Sequence, residues 1–279
     1  MISNLKESVV FTESHDLVNG RWYSNSPPNE ADKIYFPSVT TVLNVVGKGE
    51  GFSRWLGNSI SYDHAMDYAG KAASVGSIVH NYAMDLLNGL VINTKDGTTD
   101  PDTGDHVKVG FKVNHRLEGF VAFIEDYNPT VIANEMSLYN SIKHEDEYLY
   151  PWAGRVDQVY KMVLKEGQEP KTCLVDIKTG GEYKTQGLQQ TAYKLLWDSM
   201  YPEDPIDEIF CLFLPEKWRK VPYKLKKQKF DPEVWLSVYD LWLWANDNPK
   251  PKFKQKEATE FKLKFDDDFE LIKEQEIDE

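Results

Sequence analysis

Between residues 53 and 88 apolar side chains recur at three- and four-residue spacing. Trp55, Leu56, Ile60, Ala65, Met66, Ala69, Ala72 and Ala73 lead into Ile78, Val79, Tyr82, Ala83, Leu86 and Leu87. This period predicts helix, with Gly70 and Gly76 as breaks between shorter helices. A second amphipathic helix is expected over 114–126, carrying Leu117, Phe120, Val121 and Ile124 and stopped by Asn128-Pro129. Ser38 precedes Val39, Val42, Leu43 and Val46 and can cap a short helix that ends at Gly47. Ahead of it, residues 9–36 read as extended, with a loose hairpin across the turn-rich stretch 25–29. Residues 93–106, rich in Asp, Thr and Gly, read as a polar surface loop.

Beyond residue 130 the texture changes to that of strands. Residues 131–139, 153–163 and 174–178 read as strands, and Gly167 and Pro170 mark a turn that should pair the last two as a hairpin. A helix over 185–200, strands over 209–214 and 220–225, and a Trp-rich helix over 232–245 complete the pattern. The expected fold is α/β, a sheet with flanking helices and an N-terminal helical subregion. One domain is expected over 1–265, mainly helical to residue 130 and then sheet core plus a basic region. Residues 266–279, with eight acids and one lysine, are expected to form an acidic tail.

Composition narrows the function classes. The 279 residues are 41% apolar and 13% aromatic, which excludes a disordered chain. Two cysteines, Cys173 and Cys211, are too few for a disulfide scaffold, a four-Cys zinc site or a four-Cys iron–sulfur cluster, and both are expected in the core. No apolar run reaches the ~18 residues of a membrane span, and the first residues lack the apolar stretch of a secretory signal. The expected compartment is the cytoplasm (the host's, for a phage-encoded chain). No Gly-x-x-x-x-Gly-Lys-Ser/Thr sequence is present, so ATP-driven unwinding would need a partner, a separate helicase or a recombination or replication protein.

The candidate chemistry lies in Gly154-Arg155-Val156-Asp157, Asp176-Ile177-Lys178 and Gln189-Gln190-Thr191-Ala192-Tyr193. Residues i and i+2 of a strand share a face, so Asp176 and Lys178 project together. Correct hairpin register brings the Asp157 carboxylate beside that of Asp176. Two adjacent carboxylates are costly without a bridging cation. Mg²⁺ is bound in this way, by one or two carboxylates with the rest of its shell left to water and phosphate. Such an ion polarises a phosphodiester, and Lys178 beside it can orient water or stabilise developing charge. Gln189 and Tyr193, one helical turn apart, share a face that can contact DNA backbone or a base. Each motif alone has a bland reading: Asp-x-Lys at a strand end is often a surface ion pair. Val175 and Ile177 argue for a buried strand instead, where an idle carboxylate is expensive.

As a set, these motifs resemble the PD-(D/E)XK nuclease superfamily. The chain is most similar to its RecB-like exonuclease branch, which includes CRISPR-adaptation and mitochondrial genome-maintenance nucleases. Pro37-Ser38-Val39-Thr40-Thr41 and Gly76-Ser77-Ile78-Val79-His80 also resemble that branch, and the likeness covers roughly residues 35–215. It implies a restriction-endonuclease-like mixed sheet flanked by helices, without the branch's iron–sulfur cluster. It further implies a Mg²⁺ or Mn²⁺ site built from His80, Asp157, Asp176 and Ile177, with Lys178 catalytic and Glu135 as a supporting acid. For His80 a core or hydrogen-bonding role is the alternative, and for Glu135 a surface or Lys-paired one. The implied activity is hydrolysis of DNA phosphodiesters, as an exonuclease acting on ends or single strands. A structure- or sequence-specific endonuclease is the alternative within the class. A catalytically inactive DNA-binding or assembly module is the alternative outside it.

A formal charge of −13, from 32 basic and 45 acidic residues, sits awkwardly with DNA binding. Its distribution matters more than its sum. Residues 215–265 hold 13 Lys+Arg and 7 Asp+Glu, a local balance of 13 − 7 = +6. Lys226 and Lys227 are expected to bind substrate there, with Trp218, Tyr223 or Phe253 stacking on bases. The alternative is a solvated sheet edge whose lysines deter aggregation.

Overall fold

The computed structural model describes residues 11–25, 33–47, 49–101, 103–140, 143–144, 147–148, 150–217, 221–247 and 249–253. The expected acidic tail, Trp218 and residues 26–29 of the expected turn lie outside them.

The chain opens with strands β1 (Phe11–Leu17), β2 (Gly20–Asn25) and β3 (Tyr35–Pro37), which form a three-stranded antiparallel sheet. The expected hairpin is the β2–β3 pair. The opening is thus extended, as its sequence suggests, and helices follow it. Ser38 Oγ then accepts from the Thr41 N–H and caps α1 (Val39–Leu43), which tightens into a single 3₁₀ turn (Asn44–Val46) before Gly47. Helices α2 (Gly49–Gly57) and α3 (Tyr62–Leu87) follow.

Gly70 and Gly76 do not break α3. A glycine costs ~1 kcal/mol in a helix interior, less than the packing of one helical face supplies. At Gly76 the absent side chain permits a close approach instead, since a Cβ there would stand 3.1 Å from Thr179 Oγ1. The polar loop carries a two-residue ribbon, β4 (Thr98–Thr99) with β5 (His106–Val107), and α4 (Phe111–Tyr127) succeeds it. Val121, expected on its apolar face, is exposed.

The second half builds the main sheet. β6 (Thr130–Tyr139) is followed by a small ribbon of β7 (Lys143–His144) and β8 (Glu147–Tyr148). Then come β9 (Ala153–Met162), β10 (Lys171–Lys178), α5 (Lys184–Met200), β11 (Glu208–Phe213), β12 (Lys224–Lys227) and α6 (Pro232–Asn246). The five strands lie in the order β12-β11-β10-β9-β6. β10 and β11 run parallel, joined by the α5 crossover, and the other neighbours are antiparallel. This is the expected α/β arrangement, a mixed sheet flanked by helices. β12 begins at Lys224 rather than at residue 220, and of the expected segment only 221–225 can be compared.

β10 is buried on both faces, which explains its unbroken apolar run. Cys173, Val175 and Ile177 enter a core with Ile78 and Val79 of α3 and Phe120 and Phe123 of α4. Leu174 enters the opposite core with Val39 of α1, Leu196 and Trp197 of α5, and Trp235 and Trp242 of α6. Both cysteines are free and buried, as expected. α4 passes so close to the 221–223 loop that a Cβ at Gly119 would lie 2.5 Å from the Pro222 carbonyl oxygen. Backbone cannot yield there as a side-chain tip can. Gly119→Ala is therefore expected to destabilise the protein by about 1–3 kcal/mol despite alanine's better helix propensity, as read by urea unfolding.

Candidate active site

The β9–β10 ladder runs from Lys171 opposite Met162 to Val175 opposite Gln158, and the next residue on each strand is an aspartate, Asp176 and Asp157. At that step the main-chain pairing gives way. The Ile177 N–H donates to Asp157 Oδ2 at 2.7 Å, so a carboxylate takes the place of a backbone acceptor. The hairpin register inferred from Gly167 thus brings the two acids onto neighbouring strands.

On the other side of β9, Asn134 faces Gln158 and Met136 faces Val156, which places Glu135 opposite Asp157. Glu135 has φ +49°, in the left-handed region that a non-glycine residue enters at a cost of order 1–3 kcal/mol. Val156 and Val159 belong to the same core although three residues apart, so the two-residue alternation is interrupted at this point. Irregularities of this kind re-aim side chains beside functional sites.

α3 brings the third group. His80 Nδ1 lies 3.5 Å from Asp157 Oδ2 and 3.8 Å from Glu135 Oε1. Burial disfavours its charged form, but the Asp157 and Glu135 carboxylates outweigh burial and push the imidazole up to about 9. Asp157 is itself raised, chiefly by burial, with His80 and Lys178 opposing the rise.

Asp176, 2% exposed, forms an ion pair with Lys178 Nζ. Burial pushes its carboxyl up to about 6, against the pull of Lys178 and with help from Asp157. Lys178 is raised because the two aspartates overcome its own burial. Its Nζ also donates to Gln189 Oε1 at 3.1 Å, and Gln189 Nε2 donates to the Tyr193 hydroxyl at 3.1 Å. Lys178, Gln189 and Tyr193 thus form a chain of hydrogen bonds from the strand end to one face of α5.

Among the described residues, one ligand atom each from His80, Glu135 and Asp157 falls within 4.8 Å of the other two. Donors around an octahedral ion with ~2.1 Å bonds stand ~3–4.2 Å apart, so the 3.5 and 3.8 Å separations fit one cation. Two carboxylates and one imidazole suit a hard or borderline divalent ion. Asp176 stands beside this trio with its carboxylate turned to Lys178. Ile177 lines the same cleft, and with an apolar side chain it could reach an ion only through its carbonyl oxygen.

The cleft has a volume of about 480 Å³ and is lined by His80, Glu135, Asp157, Asp176, Ile177, Lys178, Gln189 and Tyr193. Arg21, Tyr23, Arg155 and Asn81 line it too, and sequence reasoning had given none of them a role. Lys226 and Lys227 do not line it. Their amines pair with Glu182 and, at 2.5 Å, with Glu208. Tyr223 packs edge-on against Phe123 and donates to Asp126, while Phe253 packs against Tyr35.

Gly154 explains the start of its motif. A Cβ there would lie 2.5 Å from Tyr193 Cε1. Gly154→Ala is expected to displace the Tyr193 ring, costing about 1–3 kcal/mol in stability and raising KM for substrate more than it lowers kcat. Steady-state kinetics alongside urea unfolding check this.

No family model and no curated protein matches the chain. Solved structures similar to it include a candidate exonuclease from Eubacterium rectale, at 11% identity and TM-score 0.42, covering 78% of this chain and 84% of that one. Another is SSO0001, at 12% identity and TM-score 0.29, where the match covers 50% of this chain and only 59% of that one. Likenesses this distant carry no weight beside the geometry of the cleft. No described helix is long and apolar enough to cross a membrane.

Proposed function

We propose that the protein is a divalent-metal-dependent DNA nuclease, an exonuclease working at ends or on single strands. The observation that carries this reading is the meeting of His80, Glu135 and Asp157 donor atoms within 4.8 Å, beside the Asp176–Lys178 pair. Three acids in one partly dry cleft repel one another, and a shared Mg²⁺ or Mn²⁺ ion relieves that repulsion. His80, Glu135 and Asp157 would hold the ion, with Asp176 and the Ile177 carbonyl within the same cleft. Bound there, it supplies Lewis-acid polarisation of the scissile phosphodiester.

The chain's own groups do the rest. Lys178 stays protonated because Asp176 and Asp157 outweigh its burial, so it offers fixed positive charge where charge develops on the phosphoryl oxygens. Gln189 fixes the Lys178 amine by accepting from it, and Tyr193 in turn anchors Gln189. Water then displaces one ester oxygen in line, with no covalent enzyme intermediate.

The test is digestion of end-labelled linear and circular DNA with Mg²⁺, with chelator, and with Asp176→Ala. The reading expects linear DNA to be consumed only with metal and wild-type protein, and circles to survive. Cut circles would favour an endonuclease. Equal digestion by Asp176→Ala, or with chelator, would remove the assignment.

A further inference from the structure

The cleft presents an electrostatic problem for the substrate just proposed. Glu135, Asp157 and Asp176 line it, and a phosphate chain entering beside three acids meets like charge. Two guanidiniums stand in the same cleft. Arg21, at the start of β2, lies opposite Asp16 of β1 and grips its carboxylate with Nε at 2.8 Å and Nη2 at 3.3 Å. Arg155 lies on β9, two residues before Asp157, and places Nε 3.1 Å from Glu135 Oε2.

These contacts orient the guanidiniums without using them up. A guanidinium carries five N–H donors, and both side chains remain nearly half exposed, at 45% and 49%. Tyr23, which is buried, lines the same cleft. Its phenol is raised by burial and pulled back by Arg21 and Arg155 together, so one hydroxyl feels both cations. Tyr193, the end of the Lys178–Gln189–Tyr193 chain, lines the same cleft as Arg21.

We propose that Arg21 and Arg155 form a phosphate-gripping subsite beside the metal-ligand cluster, in the cleft that Tyr23 also lines. Its ligands are the non-bridging oxygens of the phosphodiesters adjoining the one that is cut. Planar, permanently charged, pre-oriented guanidiniums suit such oxygens better than flexible amines do. The lysines of β12 do not line this cleft, and they pair instead with Glu182 and Glu208. The inference rests on the nuclease reading and adds to it where the polyanion is held.

The experiment is fluorescence anisotropy of a labelled single-stranded oligonucleotide with the full chain in chelator, where it is not cut, across a series of salt concentrations. Arg21→Gln and Arg155→Gln are each expected to weaken binding and to flatten the slope of log affinity against log salt by about 0.7, the loss of one phosphate contact. Arg21→Lys should keep the slope while losing affinity, because it keeps charge but not the bidentate fork. Arg155→Gln also releases Glu135, so thermal melting checks that variant, and Arg21→Gln decides the matter if it fails to fold. Unchanged slopes in folded glutamine variants, with wild type binding DNA, would overturn the subsite and leave the nuclease reading standing. A wild type that neither binds nor digests DNA would overturn both.

Discussion

Asp157→Asn is expected, on the proposed nuclease function, to lower metal-dependent DNA hydrolysis by about 10³-fold or more. Asp157 joins the metal-ligand cluster to the end of β10. Its Oδ2 accepts from the Ile177 N–H, lies 3.5 Å from His80, and sits on the strand between Glu135 and Asp176. Asparagine keeps a carbonyl oxygen for the Ile177 N–H, so the strand end should hold its shape. The charge that balances a divalent ion is what disappears. A ligand that binds only the folded state stabilises it by mass action, by about 2.7 kcal/mol at a hundred times Kd. Mn²⁺ should therefore raise the melting temperature of wild type and leave that of Asp157→Asn unchanged. An equal rise in both would show that the ion binds elsewhere.

Lys178→Ala is the second large effect, with hydrolysis lowered by about 10²–10³-fold, as for removal of one charged donor at a developing anion. The two variants should separate in the metal response. Lys178→Ala removes a cation that pairs with Asp176 and competes for the carboxylates, so Mn²⁺ should still raise its melting temperature, by at least as much as in wild type. Loss of rate with retention of the metal shift identifies the amine as acting on substrate. Loss of both would place Lys178 among the groups that build the metal site.

The parts of the site that sequence could reveal are those set by short-range geometry. Gly167 and Pro170 mark a hairpin whose register ends one residue before Asp157 and Asp176, and strand alternation puts Lys178 on the side of Asp176. Gln189 and Tyr193 follow from helical spacing alone. His80 is different. It arrives from a helix some eighty residues earlier in the chain, and nothing in its own neighbourhood separates a ligand from a core histidine; only the family resemblance singled it out.

Glu135 was visible as an acid on a strand, but its partnership with His80 and Asp157 depends on a left-handed backbone at one residue. A two-residue alternation cannot foresee that. The misreadings have the same cause. Gly70 and Gly76 looked like breaks because propensity is local, whereas α3 is held by packing. A charge count likewise cannot see Glu182, more than forty residues away, pairing with Lys226, nor that the β12 lysines stand outside the cleft. Arg21, on the opening sheet, reaches the cleft only through tertiary contact.

The most direct measurement is anomalous diffraction from crystals of the protein grown with Mn²⁺. The account predicts a manganese peak within bonding distance of His80 Nδ1, a Glu135 oxygen and an Asp157 oxygen, lost in Asp157→Asn crystals. A cleft without a peak at saturating Mn²⁺, or an ion bound away from these three side chains, would contradict it.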